Sequence, residues 1–177
     1  LFDGVGREWS AQIVKMGRSD VEVKLGLAVP GLPELRCAVT LAIGVPANER
    51  MDSLIEKATE LGVAVLQPLL CERSVLRLQG ERAIKKLAHW QAVAVAASEQ
   101  CGRASVPVVA PMQNLQGWLN GLGKAGSDTG GAPAADWRGV LSLRGATAIG
   151  QCLPGGELPR RLSFLSGPEG GLSEAEE

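Results

Sequence analysis

At 177 residues the chain is long enough for one medium domain, or one domain with part of another, and it can bury a core of its own. Hydrophobic residues make up 45% and aromatics 3%, and the four cysteines are scattered without C-x-x-C spacing. That combination favours a helix-and-sheet protein with buried free thiols over a disulfide-stapled or zinc-bound one. A net charge of −1 excludes a wholly basic nucleic-acid coat and leaves a local basic patch open. No run approaches the ~18 apolar residues of a membrane span, and no signal peptide pattern is visible, so the cytoplasm is the expected location.

In chain order, Leu1-Phe2-Asp3-Gly4 reads as a strand, followed by β-like pieces at Trp9–Val14 and Val21–Leu25 that flank the turn residues Gly17-Arg18-Ser19-Asp20. Residues 1–35 thus resemble part of a small β-domain. Near residue 36 the organisation changes. From Val39–Ile43 onward strands and helices alternate, the pattern of a parallel α/β sheet. A helix over Asn48–Leu61 would place Met51, Leu54, Ile55, Ala58 and Leu61 on one face and stop at Gly62. A strand follows over 63–70. A long helix, Glu81–Cys101, carries Ile84, Leu87, Gln91 and Val95 on one stripe, and its Ala-rich second half, apolar all round, predicts burial there.

Gly121, Gly123 and Gly126 match the dinucleotide fingerprint G-x-G-x-x-G, but Trp118-Leu119-Asn120 rather than a strand precedes them and a Ser/Gly/Pro run follows. A mobile surface loop over 121–136 is the expectation. Arg138–Leu143 resumes as a strand, and Gly150–Gly156 is a further loop.

The end of the chain is the richest in signal. Leu162–Leu165 reads as a short buried strand that leads into Ser166-Gly167-Pro168-Glu169-Gly170-Gly171. Gly170 and Gly171 can take positive φ cheaply and let backbone N–H groups approach a ligand. Ser173 with Glu176 fits a capping box, so the loop would empty into a helix N-terminus.

Other chemistry is sparse. His89, the single histidine, lacks a partner motif and reads as a partly exposed helix residue rather than a zinc ligand or triad member. Between residues 73 and 103, Arg73, Arg77, Arg82, Lys85, Lys86 and Arg103 stand against Glu81 and Glu99. Either a solvated helix face or a phosphate-contacting patch accounts for that excess.

Four ordered segments, Glu56–Val63, Glu72-Arg73-Ser74, Ala96–Arg103 and Leu165–Ser173, together resemble the RsmE family of 16S ribosomal RNA uridine N3-methyltransferases, in the SPOUT class. The resemblance implies a SPOUT-type knotted parallel sheet with helices on both faces over residues 36–177, preceded over residues 1–35 by part of a PUA-like β-barrel that binds RNA. It implies S-adenosyl-L-methionine as methyl donor, a homodimer, and 16S ribosomal RNA or the small ribosomal subunit as partner; the residues themselves point to no metal and no membrane. By resemblance, Leu143, Leu165, Ser166, Gly167, Glu169, Gly170 and Gly171 wrap the donor, and Arg73, Gln100, Arg103 and Lys57 face the RNA. Glu169 and Arg103 are the candidate catalytic residues, Glu169 either as a general base for the uracil N3 proton or as a brace of its own loop.

Family members continue past this helix start to a second cofactor loop, rich in Leu, Gly and Arg, and carry earlier barrel strands. A polypeptide ending at Glu177 is therefore expected to hold the donor poorly. Two other readings stay open: a non-catalytic RNA-binding module of the same fold, and a nucleotide-binding enzyme that uses Gly167–Gly171 as an anion nest.

Overall fold

In the computed structural model, which describes residues 1–47, 50–76, 78–122, 136–142, 144–153 and 159–177, the first regular element is an antiparallel hairpin of β1 (Glu8–Met16) and β2 (Val21–Val29). Alternating residues bring Gln12 opposite Lys24 and Ile13 opposite Val23, and Gly17 donates to the Asp20 carbonyl at 2.8 Å to close the turn. Ile13, Met16, Leu25 and Leu27 all remain exposed on this hairpin. The first four residues do not form the expected strand. The Asp3 carboxylate accepts from the N–H groups of Val5 and Arg7, which folds the segment into a turn with only isolated bridges to Glu8 and Ser105.

The second sheet is parallel throughout. Its strands are β3 (Ala38–Gly44), β4 (Val65–Leu70), β5 (Val108–Val109), β6 (Gln113–Asn114), β7 (Asp136–Val140) and β8 (Arg161–Ser166), in the order β5-β4-β3-β8-β7 with β6 also on β4. The chain-terminal strand β8 is therefore inserted between β3 and β7, with Ala42 opposite Leu165 and Val140 opposite Leu165 on the other side. Because all pairs are parallel, the ends at Gly44, Leu70, Val140 and Ser166 lie along one edge. Pro68, fully buried in β4, has no N–H to give a neighbour. The strand alongside is correspondingly split: Val65 and Leu66 pair with β5, Leu69 and Leu70 with β6. Buried Gln67 bridges the gap, donating to the Pro111 carbonyl at 2.9 Å and accepting from Gln113 Nε2 at 3.0 Å.

Helices cover both faces. Helix α1 (Arg50–Glu60) and helix α2 (Gly80–Cys101) press Met51, Ile55, Ala58, Trp90 and Ala94 onto Ile43 and Leu66. Helix α3 (Leu115–Leu122) lies on the opposite face, where Leu115 and Trp118 meet Ala42, Leu69 and Leu165. Alternation along β3 explains the division, since Ile43 and Ala42 point to opposite sides. A one-turn helix, α4 (Ile149–Cys152), completes the described elements.

Both long helices match the sequence expectation and α2 ends at Gly102, but its buried face differs. Trp90, Ala94, Ala97 and Ser98 face inward, whereas Ile84 is exposed and Ala92, Val95 and Ala96 face outward, so the Ala-rich half is not buried all round. A bulky Trp one position before the assumed stripe sets the rotation, because it removes more apolar surface from water than Ile84 does. Helix α3 runs through Trp118–Gly121, where the sequence suggested the approach to a loop; residues 123–135 of that stretch lie outside the described residues. All four cysteines are free, yet only Cys71 is buried, and Cys152 is exposed.

Candidate functional site

Parallel pairing of β8 beside β3 places the 166–173 turn directly over the end of β3. The fit is close. A Cβ on Gly44 would stand 2.4 Å from Pro168 Cδ, and a Cβ on Gly167 would stand 2.5 Å from the backbone of Gly171 and Leu172. The loop therefore doubles back on itself over two glycines that leave room for backbone. Gly171 adopts φ +71 and donates to the Pro168 carbonyl at 2.8 Å; Gly170, for which positive φ was also expected, does not adopt it.

Three anchors hold this loop. The Glu169 carboxylate accepts from the Ala47 N–H at 3.0 Å and from Arg50 at 3.1 Å, which ties the loop to the start of α1. Arg73 Nη1 donates to the carbonyls of Gly170 at 2.7 Å and Leu172 at 3.0 Å. The Glu176 carboxylate accepts from the N–H groups of Glu72 at 2.8 Å and Ser173 at 3.0 Å. Arg73 and Glu72 are presented by a tight turn in which the Ser74 hydroxyl accepts from the Cys71 N–H.

Half of the expected capping box is thus formed, Glu176 to the Ser173 N–H, and the N–H groups of Glu176 and Glu177 both reach the Ser173 carbonyl. Residues 174–176 form a turn. The Ser173 hydroxyl oxygen is buried with no hydrogen-bond partner among the described residues. Arg144 and the Ser142 hydroxyl both reach Glu177, which joins the loop after β7 to this turn.

Electrostatics follow these contacts. Glu169 is held below the ordinary glutamate value by its own backbone N–H, then by the Ala47 N–H and the Arg50 charge. The Cys71 thiol is pushed up to about 11, chiefly by burial and then by the Glu176 charge, so it stays protonated and is a poor nucleophile.

Two cavities flank α3, one at the carboxyl end of β4, where open α/β sheets bind ligands, and one over β7 and β8. One, of 550 Å³, lies between Leu70, Cys71 and Glu72, the start of α3 (Asn114, Leu115, Gln116 and Leu119), and Ala175 and Glu176. The other, of 220 Å³, sits between Trp118, Leu119 and Leu122 of α3 and the strand residues Val140, Ser163 and Leu165. Helix α3 divides them, and it begins where it does because the Asn114 side chain accepts from the Gly117 N–H at 2.6 Å. Sequence reasoning missed α3 and every residue it lends to these walls. The available signal was the Asn114 cap ahead of Leu115, Trp118 and Leu119.

The residues proposed from sequence do not all converge. Leu165 is buried and lines the smaller cavity; Ser166, Gly167, Glu169, Gly170 and Gly171 form the anchored loop and line neither cavity; Leu143 lies outside the described residues. Arg73 meets the loop through its carbonyls. Arg103 is 8% exposed, and its guanidinium donates to the Thr59 and Val63 carbonyls and pairs with Glu34 at 2.8 Å. Its donors tie the end of α1 and the 30–36 segment together instead of facing outward. Gln100 is exposed near the end of α2, and Lys57, exposed on α1, pairs with Glu60 at 2.8 Å.

The basic patch shrinks accordingly. Arg103 is buried, Arg73 is exposed but bonded to the loop carbonyls, Lys86 lies 3.6 Å from Asp52, Arg77 is outside the described residues, and Arg82 and Lys85 remain on the exposed face of α2. His89 is partly exposed, as expected, and its Nε2 lies 2.7 Å from Asp52, a carboxylate 37 residues away in sequence that no local motif could reveal.

Residues 33–177 match the family model described as an RNA methyltransferase domain. The chain is 34% identical over 143 residues to ribosomal RNA small subunit methyltransferase E of Bacillus subtilis, covering 81% of this chain and 54% of that protein. It is 30% identical over 181 residues to the Synechocystis protein of the same name, covering 99% of this chain and 54% of the relative. The chain thus spans about half the length of these curated relatives. Among solved structures, the same methyltransferase from Neisseria gonorrhoeae bound to S-adenosyl methionine superimposes with a TM-score of 0.82 at 30% identity, over 99% of this chain and 67% of that one.

Arg103→Ala is expected to lower stability by about 3 kcal/mol, because two carbonyls and the Glu34 carboxylate lose a largely buried charged donor; an unchanged urea midpoint would contradict the structural assignment. Glu169 contributes stability that is complete above the ordinary glutamate value of 4.5 and is lost as pH falls through its depressed folded value. The stability gap between wild type and Glu169→Gln should therefore be present at neutral pH and close on acidification. A gap that persists at full size in strong acid would refute the charge-based brace.

Proposed function

The chain belongs to the family of RNA methyltransferase domains, and from that premise we propose that it transfers a methyl group from S-adenosyl-L-methionine to N3 of a uridine in small-subunit ribosomal RNA. The observation that carries the reading is the likeness, over nearly the whole chain, to a ribosomal RNA small subunit methyltransferase crystallised with S-adenosyl methionine. Within the same proposal, residues 36–177 are the methyltransferase domain with a SPOUT-type trefoil knot, and the protein acts as a homodimer in the cytoplasm. Residues 1–35 belong to a PUA-like barrel; the exposed apolar residues of the β1–β2 hairpin support that assignment, because an isolated two-stranded hairpin is marginal in water. Among the described residues no helix is long and apolar enough to cross a membrane.

The residues present fit the donor. A 550 Å³ cavity is within the roughly 300–1,000 Å³ typical of small-molecule sites. Leu70, Leu115 and Leu119 offer apolar walls, Asn114, Gln116 and Glu176 offer polar groups, and the partnerless Ser173 hydroxyl is a buried polar atom beside the loop. S-adenosyl-L-methionine supplies an electrophilic methyl group on a sulfonium.

The chain's own task is alignment of that methyl with uracil N3, which can contribute on the order of 7–11 kcal/mol. In this reading Gly167–Gly171 offer backbone groups to the donor, the cavity walls seat the adenosine and methionine portions, and Glu169 acts as the brace of the loop. Its lowered pKa and its engagement by Ala47 and Arg50 make it a weak acceptor for the N3 proton. On the RNA side, Gln100, Lys57, Arg82 and Lys85 are exposed and reachable, whereas Arg103 is buried on backbone carbonyls and Arg73, itself exposed, gives Nη1 to two carbonyls of the loop.

Incubation of the full-length protein with methyl-labelled donor and unmodified small-subunit RNA, followed by nucleoside mass spectrometry, is expected to yield 3-methyluridine. RNA binding without donor affinity would instead mark a non-catalytic module. Displacement of S-adenosylhomocysteine by nucleotides would favour the anion-nest reading.

A further inference from the structure

The Glu72-Arg73-Ser74 motif sits at the end of β4, and the chemistry it performs is visible in its contacts with a segment almost a hundred residues away. We propose that Arg73 is a positioning residue of the donor site, fixing two peptide units of the glycine loop and making no contact with RNA; the proposal rests on the donor-site reading above. Its guanidinium donates to the carbonyls of Gly170 and Leu172. The N–H groups of the same two peptide units belong to Gly171 and Ser173, which donate to the Pro168 carbonyl and the Glu176 carboxylate. Both peptide planes are therefore held at each polar end, and neither can rotate without losing two hydrogen bonds.

The stem of Arg73 contributes as well. A Cβ on Gly170 would stand 3.5 Å from Arg73 Cβ and Cδ, so the loop rests along the side chain as well as on its head. The base is rigid, because Ser74 closes the turn from Cys71 and the Glu72 N–H captures the Glu176 carboxylate that also holds Ser173. A planar guanidinium can hold two carbonyls in fixed directions, whereas an ammonium is a point charge with rotating donors. Without this clamp the loop must be ordered when the ligand arrives, and apparent affinity falls by the fraction of competent conformers.

Three forms of the protein test the proposal: wild type, Arg73→Ala and Arg73→Lys. Hydrogen exchange of amides 167–176 should quicken about tenfold or more in Arg73→Ala and by less in Arg73→Lys, and the Kd for S-adenosylhomocysteine should rise in the same order. The KM for donor should rise while the KM for RNA and the salt dependence of RNA binding stay at the wild-type values. Unchanged exchange in Arg73→Ala overturns the clamp, with or without donor affinity. A salt slope reduced by about one unit together with unchanged donor Kd would make Arg73 a phosphate contact and also overturn it. Wild-type protein that fails to bind S-adenosylhomocysteine would sink the donor reading by itself, and the exchange comparison would still decide whether Arg73 holds the loop.

Discussion

The parallel pairing of β8 with β3 is the constraint on which the rest of the site depends. It joins two segments more than a hundred residues apart and sets Leu165 beside Ala42, so that the chain leaving β8 must pass over the end of β3. Only a residue without a side chain leaves room there, and Gly44 supplies it for Pro168. Once Pro168 is seated, Glu169 falls within reach of Ala47 and Arg50, and Gly170 and Leu172 fall within reach of Arg73. The same pairing puts Leu165 and Leu172 into the apolar cluster with Leu69 and Leu115, which attaches α3 and creates the cavities on either side of it.

Charge is used inward to a degree that composition conceals. Arg73 and Arg103 both satisfy backbone carbonyls, a use that favours arginine because several N–H groups project from one plane. Glu169 and Glu176 do the complementary work on backbone N–H groups. The Arg50–Glu169 ion pair is itself partly exposed and adds little alone; its value lies in the charge-assisted bond from the Ala47 N–H to the same carboxylate oxygen. The result is a loop held from two sides by the segments that precede α1 and α2.

What could be read from sequence was local. The spacing of Met51, Ile55 and Ala58 gave α1, Gly102 gave the end of α2, and the Val/Leu-rich runs gave β3, β4 and β8, because each depends on neighbours a few residues away. The order of the strands was not legible, since no local pattern says that the last strand enters between the first and the one before it. The rotation of α2 was misjudged because one tryptophan outweighs several small apolar residues. Arg73 and Arg103 looked like a phosphate-binding surface for a similar reason: a basic residue carries no mark of the distant carbonyl it will meet. The glycine loop was located correctly, but its bracing by Glu169, Arg73 and Glu176 required the partners in space. The capping pattern at Ser173 and Glu176 was real in one of its two bonds.

The central claim is that the carboxyl edge of the parallel sheet, between the glycine loop and α3, is where the methyl donor binds. Amide chemical shifts recorded while isotopically labelled protein is titrated with S-adenosylhomocysteine test it directly. The account predicts that the largest changes fall on Gly167, Gly170, Gly171, Leu119 and Glu176, with Ala38 and Arg161 at the opposite edge unmoved. Changes confined to the exposed faces of α1 or to the β1–β2 hairpin would contradict it.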